Sequence, residues 1–315
     1  VDILALGMLS AIRRALTLVG DKRREPLALH QIPREDEAVY GMLSRGDSIG
    51  TFQVESRAQM SMLPRLQPRC FYDLVIEVAI VRPGPIQGGM VHPYLRRRQG
   101  LEPVEYPRDE IRPALERTLG VPIFQEQVMQ LAVVAAGFTP GESDSLRRSM
   151  AAWRRKGGLE HLERRLVDGM LARGYPREFA AQIYRQILGF GEYGFPESHA
   201  ASFALLAYAS AYLKCHYLAA FTAAILNNQP MGFYHPATLV KDAQRHGLHF
   251  KPIDVTCSQW ECAIEPDKSV RLGFNYLKGL RREIAECIIE ERARGEFANI
   301  RDLVRRVPEI GRAHV

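Results

Sequence analysis

The segment from residue 189 to residue 204 contains the residues best suited to bind a ligand. Three glycines and three aromatic residues form a turn that runs directly into an alanine-rich helix, and glycine allows backbone angles that other residues avoid. Pro196 comes just before Ser198, a residue type that caps helices. A helix start offers unpaired N–H groups to an anion, and His199 adds a ring donor or a stacking face. The segment therefore predicts either a phosphate-binding corner or a capped junction between a loop and a helix.

Basic residues form short clusters along the chain. There are 42 basic and 36 acidic residues, which gives a net charge of +6. The clusters are Lys22 to Arg24, Arg96 to Arg98, Arg147 with Arg148, Arg154 to Lys156, and Arg164 with Arg165. Several arginine clusters on one chain indicate a polyanionic partner such as a nucleic acid or a nucleotide, whereas a single cluster is also typical of a solvated helix face.

Length and composition indicate a folded chain without a membrane span. The 315 residues are 46% hydrophobic, which is typical of a globular protein with two or three domains. The apolar run 200–213 is shorter than the roughly 18 residues that cross a bilayer, and we expect it to continue to residue 226 as one buried helix of about 40 Å. The five cysteines are scattered without zinc-site spacing, which predicts a reducing cytoplasm. The chain opens at Val1 without a signal peptide, and we expect a cut end there.

Hydrophobic periodicity predicts mainly helices. They are expected at residues 3–19, 35–43, 56–66, 72–81, 125–136, 142–153, 159–173, 178–188 and 237–246. Short strands are expected at residues 250–253, 261–264 and 270–274, with a strand-like piece at 49–54. The pattern predicts a mainly α fold with a small α+β part near the C-terminus, and a domain boundary near residue 230.

Two further local patterns leave alternatives open. Arg82 lies between a helix and the rigid Pro83-Gly84-Pro85 loop, where it either points at a ligand or covers the C-terminus of the helix. Residues 277–289 are similar to the start of a helix-hairpin-helix, a motif that binds the DNA backbone, but Gly279 is not followed by a second glycine two residues later. For this segment a structural role is the favoured interpretation.

Six short segments occur in an order that resembles the bacterial C-family DNA polymerases, which are the alpha subunits of DNA polymerase III and their relatives. The segments are residues 2–7, 52–57, 82–85, 125–129, 146–150 and 193–199. Replicative members typically carry Asn-Lys in place of Pro196-Glu197 and a lysine run in place of residues 151–158. Together with residues 228–234, these differences resemble the error-prone branch.

The resemblance implies a DNA-directed DNA polymerase that joins nucleotides with the help of two Mg²⁺ ions. It implies four regions, which are the end of the palm (1–30), a helical fingers domain (31–230), a small α+β segment (231–275) and the start of a helix-hairpin-helix-like region (276–315). Asp2 is the implied metal ligand and catalytic residue. The two other palm aspartates are expected upstream, so the isolated chain is expected to be inactive.

The resemblance and the charge of a triphosphate together give a set of candidate site residues. Arg147 and Arg148 are adjacent on a helix, about 100° apart, so we expect one to face a phosphate and the other to pair with protein or DNA. Tyr193 and Phe195 are expected to stack on the nascent base pair. The predicted nucleotide-binding residues are Arg57, Arg82, Arg147, Arg148, Arg155, Lys156, Ser198 and His199.

The error-prone branch implies damage-induced mutagenesis, DNA repair and translesion synthesis in the cytoplasm. The implied partners are primer–template DNA, deoxynucleoside triphosphates, a sliding clamp and accessory mutagenesis proteins, with no membrane. We also expect Glu197, in place of a lysine, to make closure over the nucleotide less selective. The alternatives are a replicative alpha-type subunit, a non-catalytic DNA-binding helical module, and a structural module whose arginines are only solvated.

Overall fold

A computed structural model describes residues 6–82, 85–86, 89–156, 160–190 and 196–312. The side chains at positions 22–23, 149–156, 160–162, 190 and 311–312 are not part of that description. The helices up to residue 136 are α1 (Leu6–Arg23), α2 (Glu37–Ser44), α3 (Arg57–Leu66), α4 (Phe71–Ile80), α5 (Val91–Arg98), α6 (Arg112–Leu115) and α7 (Gln125–Ala136). Those that follow are α8 (Pro140–Lys156), α9 (Glu160–Ala172), α10 (Arg177–Phe190), α11 (Glu197–His216), α12 (Leu218–Asn227), α13 (Pro236–Arg245), α14 (Arg282–Arg294) and α15 (Ile300–Arg306).

A small sheet follows helix α13. Its strands are β1 (Phe250–Lys251), β2 (Ala263–Ile264) and β3 (Val270–Arg271), in the order β1-β3-β2. Strand β3 pairs in parallel with β1 and antiparallel with β2. The predicted fold class, mainly α with a small α+β part near the C-terminus, is confirmed.

The predicted helices between residues 35 and 188 are confirmed, with ends that differ by at most three residues. Helices α5 and α6 were not predicted. Helix α5 contains Pro93 and ends in three arginines, so its sequence has little of the apolar periodicity that signals a helix.

The strand predicted at residues 49–54 is wrong, because this segment is a series of turns. Gly50 and Gln53 have φ angles of 82° and 61°, which interrupt an extended conformation. The segment is buried because helix α11 satisfies its backbone. The Phe52 N–H donates to Ser210 Oγ at 3.0 Å, and Lys214 Nζ donates to the Ile49 carbonyl at 3.0 Å.

The single long helix predicted up to residue 226 is also wrong. Helix α11 ends at His216 and α12 begins at Leu218, with Tyr217 between them at φ −136° and ψ 48°. The segment contains no glycine or proline that would signal the break. Lys214, whose side chain is 1% exposed, pairs with Asp242 at 2.9 Å. Lys214 thus lies three residues before the break and is paired with a carboxylate of another helix. The periodicity of one helix carries no information about such a partner.

The chain divides into two compact units. Unit A contains residues 6–33, Ile49–Phe52 and residues 209–312, and unit B contains Arg34–Ser48 and Gln53–Tyr208. The limits predicted at residues 30, 230 and 275 stay predictions. In unit A, α1 packs against α12, and Asn227 at the end of α12 exchanges two hydrogen bonds with the Cys262 backbone, at 2.8 and 2.9 Å. A separate apolar cluster joins α14 and α15 through Phe274, Ile284, Ala285, Ile288, Leu303 and Val307.

Helix α4 is buried over most of its length. Every residue from Asp73 to Ile80 is buried, and Glu77 is 0% exposed. Neither carboxyl oxygen of Glu77 has a hydrogen-bond partner in the described part of the chain. Burial raises the pKa of Glu77 well above its ordinary value of 4.5, because a charged carboxylate is poorly solvated there.

The start of helix α7 is organised by Gln127, which is 6% exposed. Its Oε1 accepts from the backbone N–H groups of Ile123 and Phe124, at 2.8 and 3.0 Å. Its Nε2 donates to the Ala114 carbonyl at 2.9 Å and to Thr118 Oγ1 at 2.7 Å. One side chain therefore satisfies four buried polar groups and fixes the loop that leads into α7.

Two other observations concern compartment and membrane. All five cysteines lie in the described residues, and no two of them form a disulfide. Among the helices described, none combines the length and the apolar character that a bilayer span requires.

We expect Glu77→Gln to change the pH dependence of stability. As the pH rises above 4.5, the unfolded chain loses the Glu77 proton that the folded chain retains, so unfolding becomes easier by up to about 1.4 kcal/mol per pH unit. Glutamine cannot ionise, so the free energy of unfolding of the variant should exceed that of the parent by an amount that is small near pH 4.5 and grows toward pH 7. Urea titrations followed by circular dichroism measure it. The exposed Glu105→Gln is the control, and parallel pH profiles for Glu77→Gln and the parent would disprove the assignment.

Replacing Gln127 with methionine should destabilise the protein by about 2–4 kcal/mol, because buried N–H groups at Ile123 and Phe124 lose their acceptor. Gln130→Met on the exposed face of the same helix is the matched control, with an expected effect within about 0.5 kcal/mol. Urea midpoints at constant pH compare the two. Equal midpoints would show that the hydrogen bonds of Gln127 carry no net stability.

Candidate nucleotide-binding site

Helix α11 begins with a glutamate whose backbone is capped by another glutamate. The Glu197 N–H donates to Glu126 Oε2 of helix α7 at 3.0 Å. Ser198, predicted as the N-cap, is instead the second residue of the helix, and this prediction is corrected. The cap comes from a distant carboxylate, which satisfies a free N–H at the positive end of the helix dipole.

The Glu197 side chain makes a second set of contacts at the same place. Its Oε1 accepts from the Tyr72 hydroxyl at 2.8 Å and from Arg117 Nη1 at 3.2 Å. The Arg117 guanidinium also lies 3.9 Å from the centre of the Tyr72 ring. Burial, together with the hydrogen bond to Glu197, raises the pKa of the Tyr72 hydroxyl. The start of α11 is thus joined to α4, to α7 and to the short helix Glu116–Thr118.

The two predicted ligand residues follow directly. Ser198 is exposed and His199 is half-buried. The Ser198 carbonyl accepts from Ser202 Oγ at 2.9 Å. The His199 ring lies 4.2 Å from the Phe203 ring, centre to centre, at 47°. His199 is therefore oriented by a side chain one turn later on the same helix.

Arg147 and Arg148 share one carboxylate. Arg147 contacts Asp144 Oδ1 through Nε at 3.0 Å and Nη2 at 2.9 Å, and Arg148 Nη2 contacts Asp144 Oδ2 at 3.0 Å. Their side chains remain 45% and 67% exposed. The two guanidiniums, expected to point in different directions, are therefore brought together by Asp144, while a large part of each side chain stays accessible to solvent.

Arg82 and Arg57 occupy the ends of helices. Arg82 Nε donates to the Val78 carbonyl in α4 at 3.2 Å, and its Nη2 donates to Gln53 Oε1 at 2.7 Å. Of the two alternatives for Arg82, the contact over the helix C-terminus is thus present. Arg57 is the exposed first residue of α3, directly after the capping residue Ser56.

Several candidates lie outside the part of the chain that the structure describes. These are Asp2, Tyr193 and Phe195, together with the side chains of Arg155 and Lys156. The structure brings Glu126, Tyr72 and Arg117 to the start of α11, and sequence reasoning did not select any of them. For Glu126 a signal was present, because it lies inside the 125–129 segment that resembles the polymerase family.

Comparison with known proteins identifies the family to which this chain belongs. The model of the bacterial DNA polymerase III alpha subunit finger domain matches residues 8–174, more than half of the chain, and a helix-hairpin-helix motif model matches residues 247–315. A protein named error-prone DNA polymerase from Bordetella bronchiseptica is 64% identical over 97% of this chain. Proteins of the same name from Methylococcus capsulatus and Pseudomonas fluorescens are 60% and 61% identical over 98% and 99% of it.

The chain spans 30 to 32% of the length of these relatives. The finger-domain match covers unit B up to the end of α9, including α3, α4, α7 and α8, whose side chains form the contacts described above. The chain therefore belongs to the family of the bacterial DNA polymerase III alpha subunit finger domain.

Proposed function

We propose that this chain is the finger segment of an error-prone DNA-directed DNA polymerase. The observation that carries the proposal is the 64% identity, over 97% of the chain, with a protein named error-prone DNA polymerase. The replicative alpha-type alternative is less well supported, because the relatives cited above carry the error-prone name. A non-catalytic DNA-binding module remains the second alternative.

In the proposed function, unit B receives the incoming nucleotide. Arg147 and Arg148 would contact the triphosphate, since guanidiniums bind phosphate oxygens in a bidentate geometry. Asp144 supports this role because it keeps both guanidiniums close together. Ser198 and His199 would face the nucleotide from the start of α11, and the remaining proposed contacts are Arg57, Arg82, Arg155 and Lys156, with Tyr193 and Phe195 stacking on the base pair.

Magnesium is the cofactor that the family implies, and Asp2 is its proposed ligand. When bound, divalent ions would activate the attacking 3′-hydroxyl and neutralise the leaving pyrophosphate. The described carboxylates nearest the proposed nucleotide contacts do not fit such a site. Asp144, Glu126 and Glu197 already accept from arginine, backbone or tyrosine donors. The proposed role of the described residues is therefore to bind and orient the nucleotide.

The remaining parts of the proposal follow from the error-prone branch. They are translesion synthesis and damage-induced mutagenesis in the cytoplasm, with primer–template DNA, deoxynucleoside triphosphates, a sliding clamp and accessory mutagenesis proteins as partners. The five cysteines, none of which is in a disulfide, support a reducing compartment.

Glu197 would influence the choice between correct and incorrect nucleotides by positioning the first turn of α11. It does not need to touch the nucleotide, because its contacts with Tyr72 and Arg117 determine where the first turn of α11 lies. Closure around a correct base pair depends on the geometry of such supporting contacts. A lysine at position 197 would repel Arg117 and release the start of the helix.

We expect Glu197→Lys, in a full-length polymerase that carries this segment, to change the ratio of incorrect to correct insertion. Adding Arg117→Glu should restore the ratio toward the parent value, because the swapped charges can pair again. Steady-state insertion of each nucleotide opposite a defined template base measures both variants, with Glu105→Gln as the control. Unchanged ratios in Glu197→Lys would count against the positioning role.

The 315-residue chain alone is expected not to extend a primer. The proposal assigns it one metal-binding aspartate, and one carboxylate cannot bind two Mg²⁺ ions. Incubation of the purified chain with labelled primer–template, nucleotides and Mg²⁺ tests this, with a full-length relative as the positive control. Extension that survives further purification would refute the assignment.

A further inference from the structure

A second group of arginines in unit B faces a pocket for which sequence reasoning proposed no role. Arg65, Arg69 and Arg98 line a cavity of about 320 Å³ together with Gln67 and Gln99. This volume is at the lower end of the range for ligand pockets, about 300 to 1,000 Å³. Five of the seven lining residues are arginine or glutamine, whose side chains can donate hydrogen bonds.

The floor of this arginine pocket is rigid. Arg98 Nη2 pairs with Asp73 Oδ2 at 2.6 Å, and the Asp73 side chain is 5% exposed. Arg98 also donates to the carbonyls of Leu66 and Gln67, at 3.3 and 3.2 Å. These are the last carbonyls of α3, where the helix dipole is negative, so Arg98 neutralises the end of the helix.

The shape of the opening is fixed by the backbone. Gln67 adopts a left-handed conformation with φ 48° at the end of α3, between Pro64 and Pro68. The Gln99 side chain donates to the Arg65 carbonyl at 3.1 Å, which joins the end of α5 to the same turn. Arg65 and Arg69 therefore project from a constrained segment.

Arg65 and Arg69 differ from the arginines that pair within the protein. Arg97 and Arg148 pair with Glu102 and Asp144. In the part of the chain that the structure describes, no hydrogen bond or ion pair involves the guanidinium of Arg65 or Arg69, and both side chains are exposed. Three arginines line the pocket, and among the described residues only the Asp73 carboxylate pairs with one of their guanidiniums, so the lining has an excess of positive charge.

We propose that the arginine pocket binds a phosphate group. Guanidinium groups bind phosphate oxygens in a bidentate manner, and the two glutamine side chains add neutral donors. The phosphate can come from a DNA backbone or from a free phosphate such as pyrophosphate. The first source rests on the proposed function, whereas the chemistry of the pocket does not.

Salt-dependent DNA binding by the full chain tests the pocket. The variant Arg65→Gln/Arg69→Gln removes the two guanidiniums that have no partner among the described residues. The control Arg177→Gln/Arg185→Gln removes two exposed arginines of the same unit that do not line the pocket. Fluorescence anisotropy with a primer–template duplex between about 50 and 200 mM KCl gives the slope of log affinity against log salt, which changes by about 0.9 for each phosphate contact. Circular dichroism checks that both variants fold.

We expect the pocket variant to reduce the slope by about 1 to 2 and to weaken binding about tenfold at the lower salt, while the control keeps the parent slope. Isothermal titration with sodium pyrophosphate distinguishes the second source. Saturable binding by the parent that is lost in the pocket variant, with an unchanged DNA slope, assigns the pocket to free phosphate and supports the proposal.

Equal losses in the two double variants, or no effect in either measurement, would overturn the proposal. If the parent chain binds no DNA at any salt concentration, the proposed DNA partner fails. In that case the pyrophosphate titration still decides whether the pocket binds phosphate.

Discussion

The contact between two helices on which the candidate site depends is the hydrogen bond from the Glu197 backbone to the Glu126 carboxylate. The first N–H groups of a helix have no acceptor within the helix, so each needs a hydrogen-bond acceptor from elsewhere. Here Glu126 of helix α7 supplies that acceptor, and the Glu197 carboxylate accepts hydrogen bonds from Tyr72 and Arg117. The positions of Ser198 and His199 follow from this exchange, because both belong to the first turn of the same helix.

The ends of other helices in unit B are satisfied in the same way, with charges matched to the dipole. Arg98 donates to the last carbonyls of α3, and Arg165 donates to the carbonyls of Ala136 and Gly137 at the end of α7, each at 3.0 Å. Cations at C-terminal ends and carboxylates at an N-terminal end both lower the energy of the helix. Several clustered arginines are therefore part of the architecture, and the net charge of the chain overstates the positive surface that a polyanion can reach.

The sequence was sufficient for elements that depend on local periodicity and insufficient for those that depend on distant partners. Helix α7 has the predicted bounds because its apolar spacing and the following Gly137 are local signals. Residues 49–54 were predicted as a strand from their apolar sequence. They form buried turns instead, because Ser210 and Lys214, far away in the chain, satisfy their backbone. The partners of Glu197 were missed for the same reason, since Tyr72 and Arg117 are 125 and 80 residues away in sequence.

Internal carboxylates also affect what the proposed site would select. Arg147 and Arg148 already contact Asp144, so a ligand must compete with one protein carboxylate for both guanidiniums. A singly charged anion gains little from that exchange, whereas a triphosphate offers more negative charge and more acceptor oxygens. Because Asp144 also restricts both side chains before binding, less conformational entropy is lost when the ligand arrives. In the proposed function, Asp144 would thus favour multiply charged phosphates. Arg65 and Arg69 of the arginine pocket, which have no carboxylate partner in the part of the chain that the structure describes, would accept a single phosphate without such a competitor.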